Sequence, residues 1–136
     1  MLKVAFATDD RIAVNQHFGA AVGFTIYALD AEAAKLVQVV EFAVEAMDGN
    51  EDKLGAKIEA LGGCAAVYCL AVGASAVRQL LAGGIQPMRL DDETAIEPLL
   101  GQLRAAIRDG GVPWIDKLVR RDASRFDRMA EEGWQE

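Results

Sequence analysis

Few residues of this chain have the side-chain types that bind metals or anions. His17 is the single histidine among 136 residues and lies in VNQHFG, whereas Cys64 and Cys69 lie in CAAVYCL. Imidazole nitrogen and cysteine sulfur bind transition metals, and open backbone N–H groups at the start of a helix bind anions. The segment GAS at residues 73–75 precedes a predicted helix and could supply such N–H groups.

The ligand count is too low for a conventional metal site. Structural zinc and iron–sulfur sites use four protein ligands, and the chain offers one histidine and two separated cysteines without a CxxC pair. The odd offset between Cys64 and Cys69 predicts that they face opposite sides of a strand. We therefore expect two free thiols and no disulfide between them.

Short apolar segments bounded by turn residues predict the strands that position these side chains. The segments are LKVAFA (2–7), FTIYAL (24–29), KLVQVVEF (35–42), CAAVYCL (64–70) and IQPMRL (85–90). The loop after the first strand holds His17. The second and third segments flank a short connector, which predicts an antiparallel pair, and Pro87 places the fifth segment at an edge.

Predicted helices alternate with the later strands. The first covers EDKLGAKIEAL (51–61), with Asn50 as its cap and Gly62 and Gly63 as its stop, and the second covers AVRQLLA (76–82). The third carries an apolar face made of Ile96, Leu99, Leu100, Leu103 and Ile107. This alternation predicts parallel crossovers. The predicted fold is α/β and ribonuclease-H-like, with a five-stranded mixed sheet ordered 3-2-1-4-5 and flanking helices.

Ligands of such sheets bind beyond the carboxyl ends of strands, where neighbouring connections leave in opposite directions. Here that point lies between the first and fourth strands, so His17 and Cys69 reach one crevice together with the start of the second helix. We predict His17 and Cys69 as metal ligands. The predicted cofactor-binding residues are Asn15, His17, Phe18, Gly19, Gly73, Ala74 and Ser75.

Each of these features also has an ordinary structural explanation. A loop histidine often forms only local hydrogen bonds, and a cysteine in a strand is commonly a small buried hydrophobe. A Gly-Ala-Ser segment before a helix is common, and it is a much weaker signal than a phosphate-binding loop.

Charge and hydropathy restrict the partners and the compartment. The net charge of −7 disfavours nucleic acid, and no uncharged apolar run approaches the roughly 18 residues of a membrane span. Because Asp9 and Asp10 interrupt the first apolar segment, we expect no signal peptide and a cytoplasmic protein without membrane contacts.

The segment DGGVPW (109–114) is predicted to end the folded domain. We therefore expect one folded domain over residues 1–113 and a charged tail over residues 114–136, and we expect residues 115–136 to be removable without unfolding the core. The tail is either a marginal surface helix or a docking segment for a partner.

Several motifs, in order, resemble one protein family. HFG follows an acidic loop, GCAAVYCLAVGASAVRQLL and GIQPMRL come next, and VPWIDKL comes last. Over roughly residues 1–118, this set resembles the nitrogenase cofactor-assembly family, which comprises the NifX proteins, NafY and the C-terminal part of NifB. The chain lacks room for the extra N-terminal domain of NafY or the radical enzyme domain of NifB. The resemblance is therefore to the NifX members.

This resemblance implies a non-enzymatic carrier in nitrogen fixation. Such a carrier transiently binds iron–sulfur precursors of the iron-molybdenum cofactor and passes them between NifB-type and NifEN-type assembly proteins. The family's cluster-ligand histidine corresponds to His17. The low ligand count then fits, because sulfide already satisfies most iron sites of a preassembled cluster, and one or two protein ligands permit release.

Other functions remain open at this stage. One is a protein–protein adaptor of the assembly machinery without its own cofactor, supported mainly by the charged tail. Another is a Mg²⁺-dependent nuclease that uses Asp9 and Asp10 with Glu41 or Asp91. The acidic net charge and the dispersed basic residues disfavour the nuclease.

Overall fold

The computed structural model describes residues 1–42 and 51–120. The strands are β1 (Leu2–Ala7), β2 (Ala13–Val14), β3 (Gly23–Leu29), β4 (Ala34–Glu41), β5 (Ala66–Cys69), β6 (Gln86–Arg89) and β7 (Thr94–Ala95). The helices are α1 (Glu51–Ala60), α2 (Ala74–Ala82), α3 (Ile96–Asp109) and α4, which covers residues 113–120. Within the described ranges, no helix has the length and apolar character needed to cross a membrane.

The α/β class and the mixed sheet are confirmed. Five strands pair in the order β4-β3-β1-β5-β6, which is 3-2-1-4-5 when β2 and β7 are left out of the count. The hairpin β3–β4 is antiparallel and pairs through β3 with β1, whereas β1–β5 and β5–β6 are parallel. As Pro87 predicted, β6 lies at an edge. The sheet therefore changes from antiparallel to parallel pairing at β1.

Apolar clusters cover both faces of this sheet. Leu2, Val4 and Phe6 of β1 point to one cluster, called the α3-side cluster because it also contains the buried side of α3. Ala5 and Ala7 of the same strand point to the second cluster, called the α2-side cluster because it contains the buried residues of α2. This alternation follows from the period of two along a strand. The carboxyl end of β1 thus projects from a layer that is packed on both sides.

Some predicted boundaries move in the structure. Strand β5 begins at Ala66, and Cys64 lies in the preceding turn, where its N–H donates to the Leu61 carbonyl oxygen at 2.9 Å. The prediction that Cys64 and Cys69 face opposite sides is therefore wrong, because both belong to the α2-side cluster. Both are free thiols, as expected. The predicted cap Asn50 lies outside the described residues.

The predicted tail differs most from expectation. Ile115 of α4 is only 2% exposed and belongs to the α3-side cluster, and Trp114 and Leu118 pack against that cluster. The apolar core is therefore not complete before DGGVPW, and residues 115–120 are part of the packed structure. The remainder of the predicted tail, residues 121–136, lies outside the described residues.

Candidate functional site

Two loops meet at the carboxyl end of the sheet through backbone hydrogen bonds. The Phe18 N–H donates to the Ala71 carbonyl oxygen at 2.8 Å, and the Leu70 N–H donates to the Gln16 carbonyl oxygen at 3.0 Å. His17 lies between the two residues that form these bonds. The structure thus brings the loop after β1 and the segment after β5 together, where the topology predicted a crevice.

His17 is exposed, whereas the residue after it anchors the loop. Phe18 is fully buried, and its ring centroid lies 5.7 Å from that of Phe24. The Ala20 N–H donates to the His17 carbonyl oxygen at 3.2 Å, which closes a turn over residues 17–20. Phe18 was predicted to bind the cofactor, but its buried side chain cannot contact a ligand in the crevice. Its role in this structure is to hold the backbone of His17.

Asn15 also stabilises the loop. Its Nδ2 donates to Oδ1 of Asp9 at 2.7 Å, and its Oδ1 accepts the Asp9 backbone N–H at 3.1 Å. This reciprocal pair spans the turn that leads from β1 toward His17. The predicted contribution of Asn15 to binding is therefore indirect in this structure.

Gly19 has a partner that sequence analysis missed. Its carbonyl oxygen accepts a hydrogen bond from Nζ of Lys57 at 2.5 Å, and Lys57 is buried. The sequence does indicate that Lys57 is buried, because it lies three residues after Leu54 and four before Leu61, on the apolar stripe of the predicted helix.

The start of α2 supplies the predicted N–H groups. Gly73, Ala74 and Ser75 are exposed, and among the described residues no side chain caps this end of the helix. Ser75 Oγ instead accepts a hydrogen bond from Gln79 Nε2 at 3.2 Å. The first turn contains no acidic residue, so the positive end of the helix dipole is not offset locally. This geometry is suited to an anion.

Cys69 does not face the crevice. The residue is 0% exposed and lies in the α2-side cluster, and burial raises the pKa of its thiol to about 11. A metal ligand must reach the metal ion, and this thiol is closed off from the crevice by the side chains around it. The predicted ligand role of Cys69 is therefore corrected to a packing role.

The acidic residues near the end of β1 form hydrogen bonds and an ion pair within the protein. The Asp10 carboxylate accepts the N–H groups of Ile12 and Ala13 at 2.8 and 3.0 Å. These bonds, led by that from Ala13, lower the pKa of Asp10. Glu41 forms an ion pair with Arg11 at 2.8 Å. In residues 1–42 and 51–120, no three His, Cys, Asp or Glu side chains are grouped so that they could hold a metal ion.

We expect Cys69→Ser to lower the free energy of unfolding by about 1–3 kcal/mol, because a hydroxyl would be buried among apolar side chains. Chemical denaturation measures this change. Cys69→Ala is the control, because it keeps the site apolar and isolates the loss of volume. Equal stability of the serine and alanine variants would contradict the apolar environment of Cys69.

Comparisons with known proteins agree with the motifs. The family described as dinitrogenase iron-molybdenum cofactor matches residues 1–106. Protein NifX of Azotobacter vinelandii is 49% identical over 140 aligned residues, which cover 100% of this chain and 89% of that protein. Protein NifX of Klebsiella pneumoniae is 36% identical over 137 aligned residues, which cover 96% and 82% respectively.

The fold has a solved counterpart. The crystal structure of PH0822 superposes with a TM-score of 0.61 at 24% identity, over 77% of this chain and 90% of that chain. This likeness concerns the fold alone, whereas the sequence matches extend over most of the chain and include the loop of His17 and the start of α2. On these matches, the chain belongs to the dinitrogenase iron-molybdenum cofactor family.

Proposed function

We propose that this protein takes part in the biosynthesis of the nitrogenase iron-molybdenum cofactor as a carrier of its iron–sulfur precursors. The family match and the NifX relatives support the assembly context. The carrier binds a preassembled cluster, releases it unchanged and catalyses no reaction. Its proposed partners are assembly proteins of the NifB and NifEN types, in the cytoplasm.

The observation that carries this proposal is the position of His17. The residue is exposed, and its neighbours in the chain are bonded to the segment that leads into α2. One nitrogen ligand therefore lies beside the segment whose helix offers N–H groups to an anion. A cluster that is both metallic and negatively charged matches this pair of features.

Release explains why so few ligands are needed. With Cys69 buried, His17 is the ligand that the described residues of the crevice offer, and the N–H groups of Ala74 and Ser75 contribute electrostatic attraction. Sulfide within the cargo already satisfies most of its iron sites. Because affinity is tuned mainly through the dissociation rate, a single exposed ligand favours transfer over storage.

The ribonuclease-H-like classification belongs to the same proposal. The order β4-β3-β1-β5-β6 and the clusters on both faces of the sheet support it. This sheet places the ends of β1 and β5 side by side, which is what the carrier function requires.

Anaerobic incubation with an isolated precursor cluster tests the carrier function directly. After repurification, we expect protein-bound iron and broad visible absorption. When an apo acceptor protein of the assembly pathway is added and the two proteins are then separated, both should be found with the acceptor. The precursor passed through the same column without protein is the control. Protein that retains no iron yet binds an assembly partner would contradict the carrier and favour an adaptor.

A further inference from the structure

Lys57 is a buried charged residue beside the turn of His17. It is 1% exposed, and among the described residues the other buried polar side chains are those of two threonines, Thr8 and Thr25. Its Nζ donates to the Gly19 carbonyl oxygen at 2.5 Å and lies 5.7 Å from the centroid of the Phe42 ring. Lysine is rarely buried to this extent without a specific partner. Its partner here is the turn that follows His17.

Packing alone favours an apolar residue at this position. Lys57 shares one face of α1 with Leu54 and Ile58, and Leu61 follows directly after the helix; these three apolar residues belong to the α2-side cluster or pack against it. Removing an ammonium group from water is costly, and the desolvation lowers the pKa of Lys57. A hydrocarbon side chain of similar length would fill this space without that cost.

The hydrogen bond to Gly19 connects α1 to the turn of His17. Gly19 as a residue is exposed, but its carbonyl oxygen accepts from the buried Nζ of Lys57 and therefore faces the interior. The bond fixes the position of a turn that begins with His17 and that is otherwise held by Phe18 and by the bond between Ala20 and His17.

We propose that Lys57 is a positioning residue for the cargo site. Through the Gly19 carbonyl, its ammonium group holds the turn over residues 17–20 in one conformation, and it places a positive charge behind the surface that receives an anionic cluster. Attraction between these charges is stronger through a protein interior than through water. This inference rests on the proposed carrier function.

Three variants test this role. Lys57→Met keeps most of the apolar stem and removes the charge and the donor, and Lys57→Arg keeps both. Leu80→Ala is the matched control, because Leu80 is fully buried in the same cluster. Amide hydrogen exchange of Ala20, whose N–H is bonded to His17, measures the order of the turn in the protein without cargo. Anaerobic titration with the isolated precursor measures affinity and the visible spectrum.

In Lys57→Met, we expect exchange at Ala20 to accelerate and affinity for the precursor to fall by about 10- to 100-fold, the range seen when a group that orients a metal ligand is removed. The visible spectrum of the bound cluster should shift, and Lys57→Arg should restore part of each property. Leu80→Ala should lower the melting temperature and leave exchange at Ala20 and the spectrum unchanged.

Different results overturn the two proposals. If Lys57→Met leaves exchange and affinity unchanged while His17→Ala loses the cluster, Lys57 does not position the site and the carrier function stands. If the wild-type protein takes up no cluster, the carrier function fails, and unchanged exchange at Ala20 overturns the role of Lys57 independently. Lys57→Leu, which also lacks the charge and the donor, provides the same measurements if Lys57→Met does not fold.

Discussion

If His17 is the proposed cluster ligand, we expect His17→Ala to lower the affinity for the precursor cluster by more than about 100-fold, because deleting a ligand costs more than deleting a group that orients it, which alone costs about 10- to 100-fold. Folding should be unaffected. His17 is exposed, so the free energy of unfolding should change by no more than about 0.5 kcal/mol. Anaerobic titration followed by visible absorption measures the first effect, and thermal unfolding measures the second.

Chemical rescue separates loss of the ligand from damage to the loop. In His17→Gly, imidazole added to the buffer can occupy the vacated position, and we expect it to restore cluster binding and the visible spectrum. His17→Asn is the matched control, because it keeps a polar side chain of lower metal affinity. Unchanged affinity and an unchanged spectrum in His17→Ala would show that the histidine is an ordinary loop residue.

We expect Ile115→Ala to lower the free energy of unfolding by about 2–5 kcal/mol, the range for truncating a large aliphatic side chain in a core. Ile115 is 2% exposed and belongs to the α3-side cluster, so the shortened side chain leaves a cavity beside α3. Urea denaturation gives the change in free energy. Lys117→Ala on the same helix is the control, because Lys117 is exposed and should shift the midpoint little.

Truncation extends this test to the whole segment. A chain that ends at residue 112 loses Ile115 together with Trp114 and Leu118, and we expect its unfolding to become less cooperative. A chain that ends at residue 120 keeps these side chains and should unfold with the cooperativity of the full chain. Similar cooperativity in both truncated chains would show that α4 is dispensable for the core.

Much of the fold follows from local patterns. The alternation of Leu2, Val4 and Phe6 identifies β1, and the apolar stripe from Ile96 to Leu103 identifies α3. These patterns persist because each element must bury one face whatever its neighbours are. Strands β2 and β7 have two residues each, which is too short for a period to be visible, and their pairing depends on contacts distant in the chain.

The candidate site was predictable in position but not in composition. The change of pairing direction at β1 places the loop of His17 beside the segment after β5, and the chain order of strands and helices was enough to locate that point. The same reasoning included Cys69 and Phe18, because it located the end of a strand without indicating which side chains there point inward. Burial removes both from the surface.

The sequence by itself determined the five longer strands β1 and β3–β6, the helices α1–α3, the family and the position of the histidine at the candidate site, because periodicity, residue type and motif order are written along the chain. Only the tertiary structure decided that Cys69 packs, that Ile115 completes the core and that Lys57 holds the Gly19 carbonyl. Lys57 and Gly19 lie 38 residues apart. The environment of each of these side chains comes from elements distant in sequence, and burial and hydrogen bonding exist only once those elements have packed.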